Sequence, residues 1–418
     1  MTLDHTAETI TKFDSIVSRL KAEDSDDRRW AVYDLEGFDP SMTIDYLIDA
    51  VQDEHRAVCE AASEVLEAVP PQICVKKLVP LLGSTRIEVR NIVASIIVKF
   101  GDDAVDDLIP AFSYENEDVR KFAADILGLA GSEKAVPALC QAALEDDVEN
   151  VSVAAVEALG KIGSSKALPT LYKILDERES MKVESVEAIG LIGEKTSASF
   201  LEERIDQDEP LVTYAIIDAL GNIGEASSLS VLKAYLEKAP RILKEQICGA
   251  ILKIGRRRSI NVLNGDQSGL CETLVNCFDD QQCELADLIG YQLSLNPDFK
   301  VMKTFFDNID KLPSTLIVAL INSAKTESKL VDELCKLAEH EDDWVAYTAI
   351  EALSNFDRQS VKDTVLNMLR EDRGLPAIAA IKTALQLRLD EAKPALEILA
   401  KGENEDIREA AIQGLREF

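Results

Sequence analysis

The side chains best suited to chemistry in this 418-residue sequence are three histidines (His5, His55 and His340), eight cysteines and one basic run, Arg256-Arg257-Arg258. Acid–base or metal catalysis needs several such groups converging on one point, and three scattered imidazoles supply little of that. Cys271, Cys277 and Cys283 are spaced by six, which in a continuous helix scatters the thiols around the axis. No Cys-x-x-Cys pair and no Gly-x-x-x-x-Gly-Lys phosphate loop occurs. Most cysteines sit at apolar helical positions, as Cys140 and Cys248 do, and read as reduced core thiols. The sequence therefore predicts no catalytic set, no metal and no cofactor. For Arg256, Arg257 and Arg258 two readings stand, pairing with neighbouring acids of the chain or contact with an anionic partner.

The elements that would position these groups are written in a repeat. Ala158-Leu159-Gly160-Lys161-Ile162-Gly163 returns as Ala188-Ile189-Gly190-Leu191-Ile192-Gly193 and Ala219-Leu220-Gly221-Asn222-Ile223-Gly224, with a relative at Ile126 to Gly131. The closing glycines, Gly131, Gly163, Gly193, Gly224 and Gly255, stand 32, 30, 31 and 31 residues apart. Before each phrase the apolar residues keep helical spacing, as Val151, Ala154, Ala155, Ala158, Leu159 and Ile162 do. Small alanines allow a neighbouring helix to approach closely. The closing glycine suits the left-handed residue that ends a helix, and a second amphipathic segment follows, with Pro137 or Pro169 near its start. An acidic turn such as Glu145-Asp146-Asp147 then opens the next unit.

This helix–turn–helix unit of about thirty residues resembles the HEAT repeat, in the short HEAT-like form named for phycobilisome lyases. The phrase Asp118-Val119-Arg120, followed by Ala123 and Leu127-Gly128, carries the resemblance. Looser copies open at Asp27-Arg28-Arg29, Glu54-His55-Arg56, Glu88-Val89-Arg90, Asp343-Trp344-Val345 and Asp406-Ile407-Arg408. The resemblance implies an all-α fold, a right-handed solenoid of about thirteen antiparallel helix pairs. Regular repeats are expected over 1–255, diverged repeats or a kink over 256–341, and C-terminal repeats over 342–418; Thr9 to Leu20 is expected to cap the stack. One HEAT-like family, deoxyhypusine hydroxylase, holds two irons through four His-Glu pairs, whereas only His340-Glu341 has that order here.

Composition narrows the partner. With 45 Lys and Arg against 76 Asp and Glu, the formal charge is −31, which repels nucleic-acid phosphates. No apolar run approaches the ~18 residues of a membrane span, and the amino terminus has no signal-peptide pattern, so a cytoplasmic protein is expected. Aligning the units by their glycine places Glu64, Asp125, Glu157, Glu187, Asp218 and Glu351 in one column, with Tyr214 and Tyr347 four residues earlier. Glu157 lies about 240° round the helix from Val151, away from the core stripe. The resemblance implies that this column lines the concave face. The sequence thus points to a scaffold or adaptor whose acidic groove holds a protein partner with a basic segment. The column reads equally as a solvated helix face. The other function class is a lyase-like or cofactor-maturation protein related to the bilin lyases, with any pocket near Cys271, Cys277, Cys283 and Tyr291. Oligomeric state is not legible.

Overall fold

A computed structural model of the chain describes residues 2–206, 209–265, 267–280, 285–371 and 373–418, with side chains from Thr9 onward apart from 279 and 280. Among these residues twenty-six α-helices follow one another, with short 3-10 turns between many of them and no strand. That is the all-α architecture and the helix number expected from about thirteen pairs. The chain divides into two compact units, Met1–Ala219 and Leu220–Phe418.

In the first unit the clearest repeats stack the helices Glu117–Ala130, Glu149–Ile162 and Lys182–Ile192, alternating with Val136–Glu145 and Leu168–Glu177. Helix Glu149–Ile162 packs on Glu117–Ala130, on Lys182–Ile192 and on its hairpin partner Val136–Glu145. Its stripe of Val151, Ala154, Ala155, Ala158 and Leu159 is buried as the spacing predicts. Pro137 and Pro169 fall in the first turn of their helices, where no amide partner is lost. The opening helix Thr2–Arg19 covers the expected cap.

The two glycines of each phrase do different work. Gly131, Gly163 and Gly193 adopt left-handed φ of 67°, 73° and 67°, and their amides close the helices onto Leu127, Leu159 and Ile189 carbonyls. The earlier glycines permit close approach. A Cβ on Gly128 or Gly160 would lie 2.8 Å from the Cα of Ala158 or Ala188. Helix Glu117–Ala130 therefore rests backbone to backbone on Glu149–Ile162, and that helix on Lys182–Ile192, which fixes their register.

In the second unit the helices of residues 256–341 continue helix on helix, with Ala286–Ser294 packed on Ser314–Ala324 and that helix on Asp343–Leu353. Asp298 accepts from the Val301 amide at 2.9 Å and starts helix Phe299–Phe306, while Pro313 precedes Ser314–Ala324. Gly255 departs from the expected pattern. It lies inside helix Arg241–Arg258, and Ser259, at φ 54°, takes the left-handed position instead. The reason is packing: a Cβ on Gly255 would meet Gln292 Nε2 at 2.6 Å and Val262 Cγ1 at 2.8 Å. Arg256, Arg257 and Arg258 are consequently the last helical turn, where cations suit the helix dipole, and not a turn between helices.

Candidate surface for a basic partner

The repeat's arginine is structural. Arg120 grips Asp146 through Nε and Nη2 at 2.8 and 2.9 Å and donates Nη1 to the Tyr114 and Glu115 carbonyls. Arg28 repeats this arrangement on Asp53, Ala22 and Glu23. The match places Asp26-Asp27-Arg28 in register with Asp118-Val119-Arg120, one residue earlier than the copy read as Asp27-Arg28-Arg29. Burial pushes the Asp53 and Asp146 carboxyls up, but their guanidinium partners and local amides outweigh it and hold both below the ordinary value. Where a unit lacks its own arginine, the next supplies one: Arg373 donates to the His340 and Glu341 carbonyls and pairs with Asp343. These clamps tie successive turns together and leave the opposite helix faces to present the columns.

Of the column, Glu64, Asp125, Glu157, Glu187, Asp218 and Tyr214 lie in the first unit, and Glu351 and Tyr347 in the second. The row is interrupted between Glu64 and Asp125, because helix Ile87–Phe100 carries Ser95 at that position. Glu64 accepts from the Tyr33 hydroxyl at 2.7 Å, which raises the phenol's pKa through that hydrogen bond and through burial. From Asp125 to Asp218 the row is continuous, carried by the Gly–Ala contacts one turn away. Partial desolvation raises the Glu187 carboxyl first, and the charges of Glu184, Glu157 and Asp218 raise it further. Lys121 and Lys161 reach Asp125 and Glu157 along their own helices, at 3.3 and 3.6 Å, as exposed pairs that neutralise little. No cation partner meets Glu187 among the described residues. Leu129, Leu191 and Tyr214 stand exposed on the same helices, adding apolar contact area.

The three arginines have partners within the chain. Arg256 lies over the Tyr291 ring at 5.8 Å; Arg257 donates to the Asn222 carbonyl; Arg258 donates to the Gly224 carbonyl at 2.8 Å and pairs with Glu225. Cys271 is buried in the wall of a cleft of about 190 Å³ that also includes Glu272, Asp298 and Lys300. Cys277 donates to the Thr273 carbonyl at 3.2 Å, and Cys283 lies outside the described residues. Burial pushes the Cys59, Cys140 and Cys335 thiols up and Cys74 to about 11. Of the histidines, His340 accepts the Asp342 amide through Nδ1, and the side chain of His5 is outside the described set. Among the described residues no group of three His, Cys, Asp or Glu is placed to hold a metal ion, and no helix is long and apolar enough to cross a membrane.

The column reading missed a feature that the sequence does display. Trp30-Ala31-Val32-Tyr33 and Trp344-Val345-Ala346-Tyr347 repeat one pattern, one in each unit, and both tryptophans are 55% exposed.

Stacked hairpins, the clearest of them closed by a left-handed glycine, define an α-solenoid of short repeats. The model of HEAT repeats matches residues 75–152, 105–183, 171–252 and 331–416, together more than half of the sequence, and the chain belongs to that family. No curated protein was found to match it. Among solved structures it is similar to a chain from the structure of Kap95p with RanGDP, at 12% identity over 99% of this chain and 69% of that one, with a TM-score of 0.53. That likeness extends to the fold. A chain of the Kap95:Nup1 complex aligns at 12% identity over 99% of this chain and 62% of that one, with a TM-score of 0.43. A chain of the CpcE and CpcF complex of phycocyanin lyase from Nostoc sp. PCC7120 aligns at 21% identity over 54% of this chain and 95% of that one, with a TM-score of 0.33.

Proposed function

We propose that the protein is a non-catalytic scaffold or adaptor, and that the acidic row of its first unit holds a basic segment of a protein partner. The observation that carries this reading is Glu187, whose carboxyl is raised by desolvation and by Glu184, Glu157 and Asp218 around it. The neighbouring carboxylates disfavour the charged form of Glu187, and a bound cation relieves that effect. Exposed Leu129, Leu191 and Tyr214 give the aliphatic stems of lysine and arginine a surface to lie on. The fold suits this role, since stacked repeats present long rows of side chains, and the Kap95p structures are named for protein complexes.

The test is binding of a labelled Lys/Arg-rich decapeptide, followed by fluorescence anisotropy. The variant E157K/E187K/D218K is expected to bind at least ten-fold more weakly than the wild type. A control with the same charge change at exposed sites elsewhere in the unit, E36K/E88K/E115K, is expected to lose far less. Equal losses in the two variants would show diffuse attraction to an acidic protein and end the proposal.

A further inference from the structure

We propose that Trp344 and Tyr347 form a stacking platform that takes an arginine side chain of a basic partner segment. The partner class rests on the proposed function, while the residues lie in the second unit and are independent of the acidic row.

The two copies of the Trp-x-x-Tyr pattern are the starting point. Each places a tyrosine one helical turn after a tryptophan, Trp30 in the middle of helix Ser25–Asp34 and Trp344 at the start of helix Asp343–Leu353, with ring centroids 5.9 Å apart for Trp30 and Tyr33 and 5.3 Å for Trp344 and Tyr347. In the first copy a guanidinium already occupies the aromatic face: Arg29 Cζ stands 5.4 Å from the centre of the Trp30 ring. In the second copy the rings lie nearly parallel, at 4°, and among the described residues no cation sits over either of them. The chain thus shows in one unit the ligand chemistry that the same pattern leaves open in the other.

The surroundings have the matching sign. Exposed Glu351 follows Tyr347 by one helical turn, on the same face, and has no cation partner among the described residues. Exposed Glu341 precedes the helix. Asp342 and Asp343 are engaged, the first by the Trp344 and Val345 amides and the second by Arg373, so they hold the helix start in place. The helix Gly374–Gln386, packed on Asp343–Leu353, begins beside Asp343 and brings Leu375, 44% exposed, to the same end. A planar guanidinium can lie on the ring pair while its edge meets Glu351, a geometry that a lysine ammonium matches less well. A second copy of this chain, at −31, brings the wrong charge.

The chain has two tryptophans, so each can report alone. Titrating hexa-arginine into the W30F variant is expected to change Trp344 emission saturably, while the neutral hexa-citrulline peptide leaves it unchanged. In W344F, Trp30 is expected to stay silent until R29A removes the cation above it, after which it responds. W344A is expected to weaken hexa-arginine binding by about two- to five-fold, the range of an exposed cation–π contact. Equal responses of Trp30 and Trp344 with Arg29 intact, or equal responses to the charged and neutral peptides, overturn the platform. Repeating the titration in E157K/E187K/D218K/W30F separates the two ideas. A surviving Trp344 response supports the platform whatever becomes of the acidic row; a silent Trp344 in W30F while the intact row still binds peptide refutes the platform alone.

Discussion

Gly160 lies under Ala188 so closely that a Cβ on the glycine would come within 2.8 Å of the alanine's Cα. Backbone cannot retreat as a flexible side chain can, so a methyl group here pushes two helices apart. Gly160→Ala is expected to destabilise the protein by about 1 kcal/mol or more, because overpacking of about 1–3 kcal/mol exceeds the helix propensity of up to ~1 kcal/mol that alanine gains over glycine. Gly37, where an added methyl group would find nothing within 4 Å, serves as the control. Gly37→Ala is expected to leave the urea midpoint within the scatter of the wild type. A neutral Gly160→Ala would mean that the helices are not in this contact.

Arg120 and Asp146 carry a second prediction. Their side chains are 9% and 7% exposed, so removing the arginine leaves a buried carboxylate without its partner. Arg120→Met is expected to cost about 3–5 kcal/mol at neutral pH. The pH dependence has a definite sign. The folded-state pKa of Asp146 is held below its ordinary value of about 3.9, so its stabilisation is fully present above that value and is lost as pH falls through the folded pKa. The gap between wild type and Arg120→Met should narrow as pH falls, first through the raised pKa of the unpaired Asp146 in the variant and then through the lowered folded pKa of the wild type, as followed by chemical denaturation.

The repeat made the fold legible because its glycines and alanines are backbone requirements, and those are written directly in residue type. Gly131, Gly163 and Gly193 need left-handed φ and could be assigned without coordinates, whereas the contacts that require glycine at 128 and 160 emerged only from the packing. Gly255 misled for the same reason: spacing alone cannot tell a glycine that ends a helix from one that makes room for Gln292. The acidic column was legible as a period, and the influence of Glu157 and Asp218 on Glu187 follows from helix register. What spacing could not give was the partner of each exposed group. Tyr33 meets Glu64 and Arg29 covers Trp30 across distances that depend on side-chain torsions, and the Trp-x-x-Tyr pattern acquires meaning only once those torsions are seen.

Glu187 predicts a proton signature of binding. Its folded pKa is raised, so in the free protein it keeps a proton to higher pH than an ordinary glutamate does. A bound cation lowers that pKa, so binding releases protons in mildly acid solution near and just above about pH 4.3 and releases few at pH 8, where the carboxyl is already ionised. Calorimetry of the decapeptide in two buffers of different ionisation enthalpy measures the release. Glu187→Gln is expected to reduce it. The same substitution should slightly stabilise the free protein at neutral pH, with the gain vanishing as pH falls below the unfolded-state value, because there the wild-type side chain is neutral too.

Leu159 tests how far cooperativity extends along the stack. It is fully buried in helix Glu149–Ile162, which packs on Glu117–Ala130, on Lys182–Ile192 and on its hairpin partner Val136–Glu145. Leu159→Ala is expected to cost about 2–5 kcal/mol, as large-to-small changes in a close-packed core do. Because each repeat leans mainly on its neighbours, the loss should be uneven. Hydrogen exchange is expected to quicken first in Val136–Glu145, Glu117–Ala130 and Lys182–Ile192, while the distant helix Glu405–Glu417 keeps its protection. Equal acceleration at Glu405–Glu417 would show that the chain opens as one cooperative block, and a face built on local register would then owe its rigidity to the whole molecule instead of to the Gly–Ala contacts beneath it.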